Sequence, residues 1–229
     1  CLRRMVGDDG WIRTLLEEQG GQFQGYAPEP GGVGAPLLEF RVPDGLLVVL
    51  NDSTTGLPLA VMDCTWITAK RTAAASAVAA KYLARRDAEC LAIIGCGVQA
   101  RSHFEAMLVQ FPGLCLVKAY DRTPANLTRY LQQMQATHRV QLVAAGGYES
   151  AVRDADIIVT AAEILKHPTP VIRPEWIKPG AFCMPVDFDS QFTPEALGAM
   201  DLFYTDDVAQ MAFYRTLGYF QGTPAVQGD

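Results

Sequence analysis

The 229-residue chain lacks the marks of several common protein classes. Its six cysteines (Cys1, Cys64, Cys90, Cys96, Cys115 and Cys183) show no CxxC spacing, which argues against a disulfide framework and for thiols that are reduced and mostly buried. His103, His138 and His167 stand far apart with no partner at metal-ligand spacing, so no metal site is expected. Positive charge is not in surplus. The net charge of -6 and pI near 5.1 exclude counterion-driven affinity for nucleic acid or anionic lipid and leave small molecules as the expected partners. No apolar run reaches bilayer-spanning length and no charged-then-apolar leader is recognisable, so the expectation is a cytoplasmic protein without membrane contact. A G-x-S-x-G elbow is missing, and Ser76 and Ser102 fall within helical stretches, against serine hydrolase chemistry. There is no internal repeat or low-complexity segment. Cys1 in place of an initiating Met, and the end at "AVQGD", suggest that segments of the natural product lie outside this sequence.

What is present describes a globular chain: 49% of residues are apolar and 19% charged, enough for one large domain or two small ones. "WIRTLLEEQ" (11–19) reads as a short amphipathic helix with Trp11, Leu15 and Leu16 on one face. "GGQFQGYAPEPGGVGAP" (20–36) reads as a loop. Two or three antiparallel strands follow between Leu37 and Asp63, with turns at Pro43-Asp44-Gly45 and at "NDSTTG". From Thr68 to Arg86 the chain is rich in Ala and free of Gly and Pro, which predicts a helix able to pack closely. Beyond it, apolar runs alternate with helical stretches at 98–110, 124–137 and 148–155, the pattern of a parallel sheet with right-handed crossovers.

Within that alternation the strand "LAII" runs directly into Gly95-Cys96-Gly97-Val98-Gln99-Ala100 and a helix. A dinucleotide's pyrophosphate needs a tight turn, for which Gly95 is suited, and close backbone approach, for which Gly97 is suited. Ala100 keeps helix and strand near each other, and the free N–H groups at Val98 and Gln99 face the anion. Asp121 ends the second strand 24 residues beyond Gly97, where an acid binds the adenosine ribose hydroxyls and repels a 2'-phosphate. Asp121 equally suits the start of the helix near Pro124, and Arg122 suits a 2'-phosphate, so NAD is expected with NADP as the alternative. Thr160 and Ala161 end a third strand where the dinucleotide crosses the sheet, or are a plain strand terminus. The thiol of Cys96, near a helix start, is open to acidification. Beneath a pyrophosphate, however, no reactive role is expected of it.

"GLPLAVMDCTWITAKRTAAASAVAAKYLARRDAECLAIIGCGVQARSH" resembles the ornithine cyclodeaminase and mu-crystallin family, a likeness that extends from about Asn51 to about Gly180. The resemblance implies NAD(P)-dependent chemistry on small amino acids or their cyclic imines by hydride transfer at the alpha carbon. It also implies a homodimer. Arg71 matches the family's arginine for the substrate carboxylate, and Thr72 the adjoining threonine; a guanidinium grips a carboxylate with two prongs, as lysine cannot. Lys70 and Arg71 otherwise read as a solvated helix end, although cations are unfavourable at a helix N-terminus. Asp189, six residues before Glu195, reproduces the spacing of the family's catalytic aspartate. Asp187 is an alternative on the same stretch, and capping of a helix near Thr193 is the plain reading of either.

The chain departs from the family between Cys1 and Gly56, where no lysine is present to hold substrate and assist proton transfer, help worth about 10²- to 10⁴-fold. Two readings follow: an oxidoreductase or cyclodeaminase, or a nicotinamide-nucleotide-binding protein with little or no catalysis. The expected architecture is α/β, a Rossmann-type parallel-sheet domain at 87–205 with a smaller discontinuous α+β domain at 1–70 that carries an antiparallel sheet for substrate binding and dimerisation. A helix at 71–86 bridges them, and 206–229 returns toward the first domain.

Overall fold

The computed structural model describes residues 47–224 together with the backbone of 22–24 and 39–41. The expected helix at 11–19 and the turn at 43–45 lie outside the described residues. The chain divides into two compact units, residues 1–68 and 69–229.

In the first unit, β1 (Gln22–Gln24) pairs antiparallel with β2 (Glu39–Arg41). This corrects the reading of 20–36 as loop throughout: Gln-Phe-Gln is long enough for a three-residue ladder despite its glycine-rich flanks. β3 (Leu47–Asn51) and β4 (Pro58–Asp63) form a hairpin whose turn is held by Asp52, which accepts hydrogen bonds from the amides of Thr54 and Thr55 at 2.9 and 2.8 Å.

The helix α1 (Thr65–Leu83) starts three residues earlier than its composition suggested, and the Asp63 carboxylate accepts the amide of Thr65 at the entry. Lys70 and Arg71 therefore lie beyond the first turn, and the helix-dipole objection to cations there does not apply. In the second unit the buried stripe Ala69, Ala73, Ser76 and Ala80 recurs at helical spacing, with side chains small enough for close packing. Lys70 pairs with Glu105 of α2 (Val98–Gln110).

The second unit is built on a five-stranded parallel sheet of β5 (Cys90–Ile94), β6 (Leu116–Tyr120), β7 (Gln141–Ala144), β8 (Ile157–Thr160) and β9 (Phe182–Pro185). Its order, β7-β6-β5-β8-β9, reverses direction between β5 and β8. Side chains alternate along β5: Leu91 and Ile93 enter a core with Phe104, Met107, Tyr130 and Met134 from α2 and α3 (Pro124–Thr137). Cys90, Ala92 and Ile94 enter another core, with α4 (Tyr148–Val152) and α5 (Pro194–Gly198). Helices on both faces are why every residue of β5 and β8 is buried. α6 (Val208–Thr216) follows, and the described end of the chain packs on this second unit through Asp189.

Asp156 locks the entry edge of the sheet. Its carboxylate accepts the amides of Glu89 and Cys90 at 3.0 and 2.9 Å and pairs with Lys178 at 2.5 Å. Burial alone would raise its pKa, but Lys178 and the two amides outweigh that and hold it below the ordinary carboxylate range. Among the described cysteines all are free thiols; Cys90 and Cys96 are buried, while Cys115 is exposed. Burial of the thiols is thus less general than expected.

Candidate functional site

At the carboxyl ends of β5, β6 and β8, where the strand order reverses, a cleft of about 430 Å³ opens over the glycine loop. Gly95 has φ +86° and donates its amide to the Tyr120 carbonyl at 2.8 Å. A Cβ on Gly95 would stand 2.7 Å from the Ala161 carbonyl oxygen and 2.8 Å from the Ala162 nitrogen, so only glycine fits between the two loops. Gly97 differs. A Cβ there would meet nothing within 4 Å, so its bareness leaves backbone open to the cleft. The α2 N-terminus that follows Gly97 has no side-chain cap.

The cleft is lined by Gly95, Gly97, Val98, Gln99, Asp121, Arg122 and Ala161 from the expected set. Ala100 and Thr160 are fully buried and are not in its lining. Ala100 packs in the core beneath the loop, consistent with its expected part in keeping helix and strand together. Asp121 accepts the Cys96 amide on one oxygen at 2.8 Å and the Thr123 amide on the other at 2.7 Å. Thr123, not Asp121, is the N-cap of α3, and Asp121 serves that helix by fixing its cap residue. Burial and the nearby Asp121 charge push the Cys96 thiol up to about 12, the reverse of acidification.

Other lining residues stand outside the expected site set. Tyr120 and Tyr148 pack with ring centroids 4.7 Å apart and planes tilted by 60°, and Ile94, Cys96, Thr123, Asn126, Ala162 and Glu163 also line the cleft. The position of Tyr120 beside Asp121 was a usable signal; Tyr148 enters through the folding of α4. The buried side-chain oxygen of Gln99 has no hydrogen-bond partner among the described residues. Behind it, His103 is fully buried. Its Nδ1–H donates to the Gln99 carbonyl at 2.8 Å, and Nε2 accepts the Ser76 hydroxyl at 2.9 Å. Burial holds this imidazole below its ordinary pKa, so the neutral ring links α1 to α2.

Arg71 is exposed on α1 with no ion-pair partner among the described residues, and Thr72, one residue on, is half-buried and engaged. Asp189 is 4% exposed and does not line the cleft. Its carboxylate accepts the amides of Phe220 and Gly222 at 3.3 and 3.0 Å, binding the end of the described chain. The turn around it is demanding: Phe188 and Phe220 both take left-handed backbone, with φ +63° and +55°, and their rings lie 4.2 Å apart. Asp187 is 1% exposed and accepts the Thr160 hydroxyl at 2.5 Å and the Ala162 amide at 3.0 Å. Neither aspartate caps α5, whose N-cap is the Thr193 hydroxyl. Among the described residues no cluster of His, Cys, Asp or Glu is able to hold a metal, and no helix is long and apolar enough to cross a membrane.

A family model described as ornithine cyclodeaminase/mu-crystallin matches residues 44–212. The chain is 36% identical over 170 residues to the nodulation efficiency protein NfeD of Rhizobium meliloti, a match covering 73% of this chain and 51% of that protein. It is 40% identical over 134 residues to the ketimine reductase mu-crystallin of Rattus norvegicus, covering 58% of this chain and 40% of that one. Among solved structures it is similar to the Δ1-pyrroline-2-carboxylate reductase of Thermococcus litoralis, determined with NADH and L-proline, at 34% identity and TM-score 0.62. That match covers 67% of this chain and 48% of the reductase. The chain thus spans about half or less of the length of these relatives.

Proposed function

Because the chain belongs to the ornithine cyclodeaminase/mu-crystallin family, we propose that its cleft binds a nicotinamide dinucleotide and that the protein transfers hydride at the alpha carbon of a small amino acid or its cyclic imine. The observation that carries the reading is the pair of glycines. Gly95 has no room for a Cβ between two loops, and Gly97 leaves backbone bare beside an uncapped helix start. A pyrophosphate seated there takes hydrogen bonds from amides that have no internal partner, and the α2 dipole favours its charge. The unpartnered Gln99 oxygen offers an acceptor to a hydroxyl or amide of the same ligand. NAD is the cofactor favoured by Asp121, whose oxygens each retain acceptor capacity for the ribose hydroxyls; Arg122 on the same rim suits the 2'-phosphate of NADP.

When bound, the nicotinamide supplies the hydride acceptor or donor. Arg71 then binds the substrate carboxylate with two parallel hydrogen bonds, and Thr72 supports it. In this enzyme reading Asp189 takes the proton of the substrate amine after the Phe220–Gly222 segment has given up its carboxylate. We further propose that residues 1–70 form the substrate-binding and dimerising half.

A specific observation favours a second reading, cofactor binding without turnover: Asp189 is buried outside the cleft lining and already holds two amides, and no lysine precedes Gly56. Nicotinamide absorbance followed across a panel of amino acids and cyclic imines separates the two. Turnover that collapses in Arg71→Ala supports the enzyme; saturable cofactor binding with no turnover supports the binding protein.

A further inference from the structure

If the cleft is a nicotinamide-dinucleotide site, as proposed above, one buried carboxylate beside it, Asp187, has no part in the proposed chemistry. On that reading Asp121 and Arg122, which line the cleft beyond β6, take the adenosine half of the ligand. A dinucleotide that crosses the sheet at its switch point then carries its nicotinamide half to the β8–β9 side. On that side β8 ends at Thr160, and the chain leaving β9 reaches Asp187 two residues later. The carboxylate of Asp187 accepts the Thr160 hydroxyl at 2.5 Å and the Ala162 amide at 3.0 Å. Ala162 lines the cleft, so the carboxylate lies directly behind the wall, out of solvent and without a salt-bridge partner among the described residues.

We propose that Asp187 is a charge-selective positioning residue of this wall: as a carboxylate it favours the cationic ring of the oxidised nicotinamide nucleotide over the neutral ring of the reduced one, and as a neutral acid it ceases to do so. Oxidised and reduced nucleotides share the same pyrophosphate and ribose groups, so the glycine loop contributes equally to both and cancels in the ratio of their affinities. What survives in the ratio is the field at the nicotinamide end, and a buried charge acts there with little screening. Among the described residues, the titratable groups that interact with Asp187 are Asp189, two residues on along the same segment, and Tyr148 at the start of α4. Burial raises Asp187 to about 6, with Asp189 adding to the rise while the Thr160 and Ala162 hydrogen bonds oppose it. The switch between its two states therefore falls in an accessible range. By linkage, the oxidised nucleotide must release a proton on binding near that pH, because it binds the ionised state better.

The test is the ratio of dissociation constants, NAD⁺ over NADH, measured by fluorescence or calorimetric titration of the chain and of Asp187→Asn between about pH 5 and pH 8. The ratio is expected to fall on the order of three- to tenfold as pH rises through the Asp187 midpoint, and to stay flat in Asp187→Asn at the low-pH value. A flat ratio in the parent chain, or an unchanged slope in Asp187→Asn, overturns the proposal. If Asp187→Asn fails to fold by circular dichroism, Thr160→Val decides instead. Loss of the hydroxyl donor must move the midpoint upward, and an unmoved midpoint overturns the assignment to Asp187. Failure of folded protein to bind either nucleotide at any pH would overturn the cofactor reading itself, an outcome distinct from binding with a flat ratio.

Discussion

The carboxylate of Asp121 accepts the amide of Cys96 at 2.8 Å, so the acid that ends β6 and the middle residue of the glycine loop after β5 hold one another in place. The loop that is to carry a pyrophosphate and the acid that is to meet the ribose are thus one unit. Replacing Asp121 by Ala removes both the acceptor for Cys96 and the ribose ligand. NADH affinity is expected to fall about ten- to a hundredfold, the worth of a charge-assisted hydrogen bond. Arg122→Ala is expected to weaken NADPH and leave NADH nearly unchanged. Titrating both variants with both cofactors checks the division of labour.

The two glycines of the loop should fail in different ways. Gly95→Ala forces a Cβ against the Ala161–Ala162 peptide at left-handed φ, and is expected to lower stability by about 1–3 kcal/mol as well as to abolish nucleotide binding. Gly97→Ala meets no protein atom, so its melting temperature should stay within a degree or two while cofactor affinity drops. Thermal denaturation with and without NADH reads both effects.

Asp156 contributes to the acid limb of stability. Its folded pKa is lowered, so its contribution is fully present above the unfolded carboxylate pKa and is lost as pH falls through the folded value. Asp156→Asn leaves Lys178 without its charge partner and should cost about 1–3 kcal/mol at neutral pH, with a smaller difference from the parent chain in acid. Urea denaturation at several pH values measures the difference.

Asp189 separates a proton-transfer role from a clamp. Asp189→Ala removes the acceptor for the Phe220 and Gly222 amides, and faster hydrogen exchange in residues 219–224 is expected with or without cofactor. If Asp189 also serves the amine, Asp189→Asn abolishes turnover of amino acids while NADH still binds.

Much of the second unit was legible because its signals are local. The bounds of α2 and α3 follow from apolar spacing and from Pro124 at the helix start, and "LAII" before Gly95 marks the central strand. The start of α1 was misplaced because Thr65, Trp66 and Ile67 have poor helix propensity, and the Asp63 carboxylate at the entry outweighs it. β1 was missed because Gln22–Gln24 carries no strand signal of its own. The site divides in the same way. Gly95, Gly97 and Asp121 follow from motif spacing. The sequestering of Asp189 by the Phe220 and Gly222 amides depends on residues about thirty positions apart, which no local spacing reveals.

The most direct measurement is isothermal calorimetry of the folded chain against NAD⁺, NADH, NADP⁺ and NADPH, repeated with Gly97→Asp, whose carboxylate would occupy the bare backbone beneath the pyrophosphate. Saturable one-to-one binding of at least one of these nucleotides to the parent chain, lost in the variant, is the predicted result. Absence of binding by folded protein, or undiminished binding in Gly97→Asp, would contradict the assignment of the glycine loop as the nucleotide's seat.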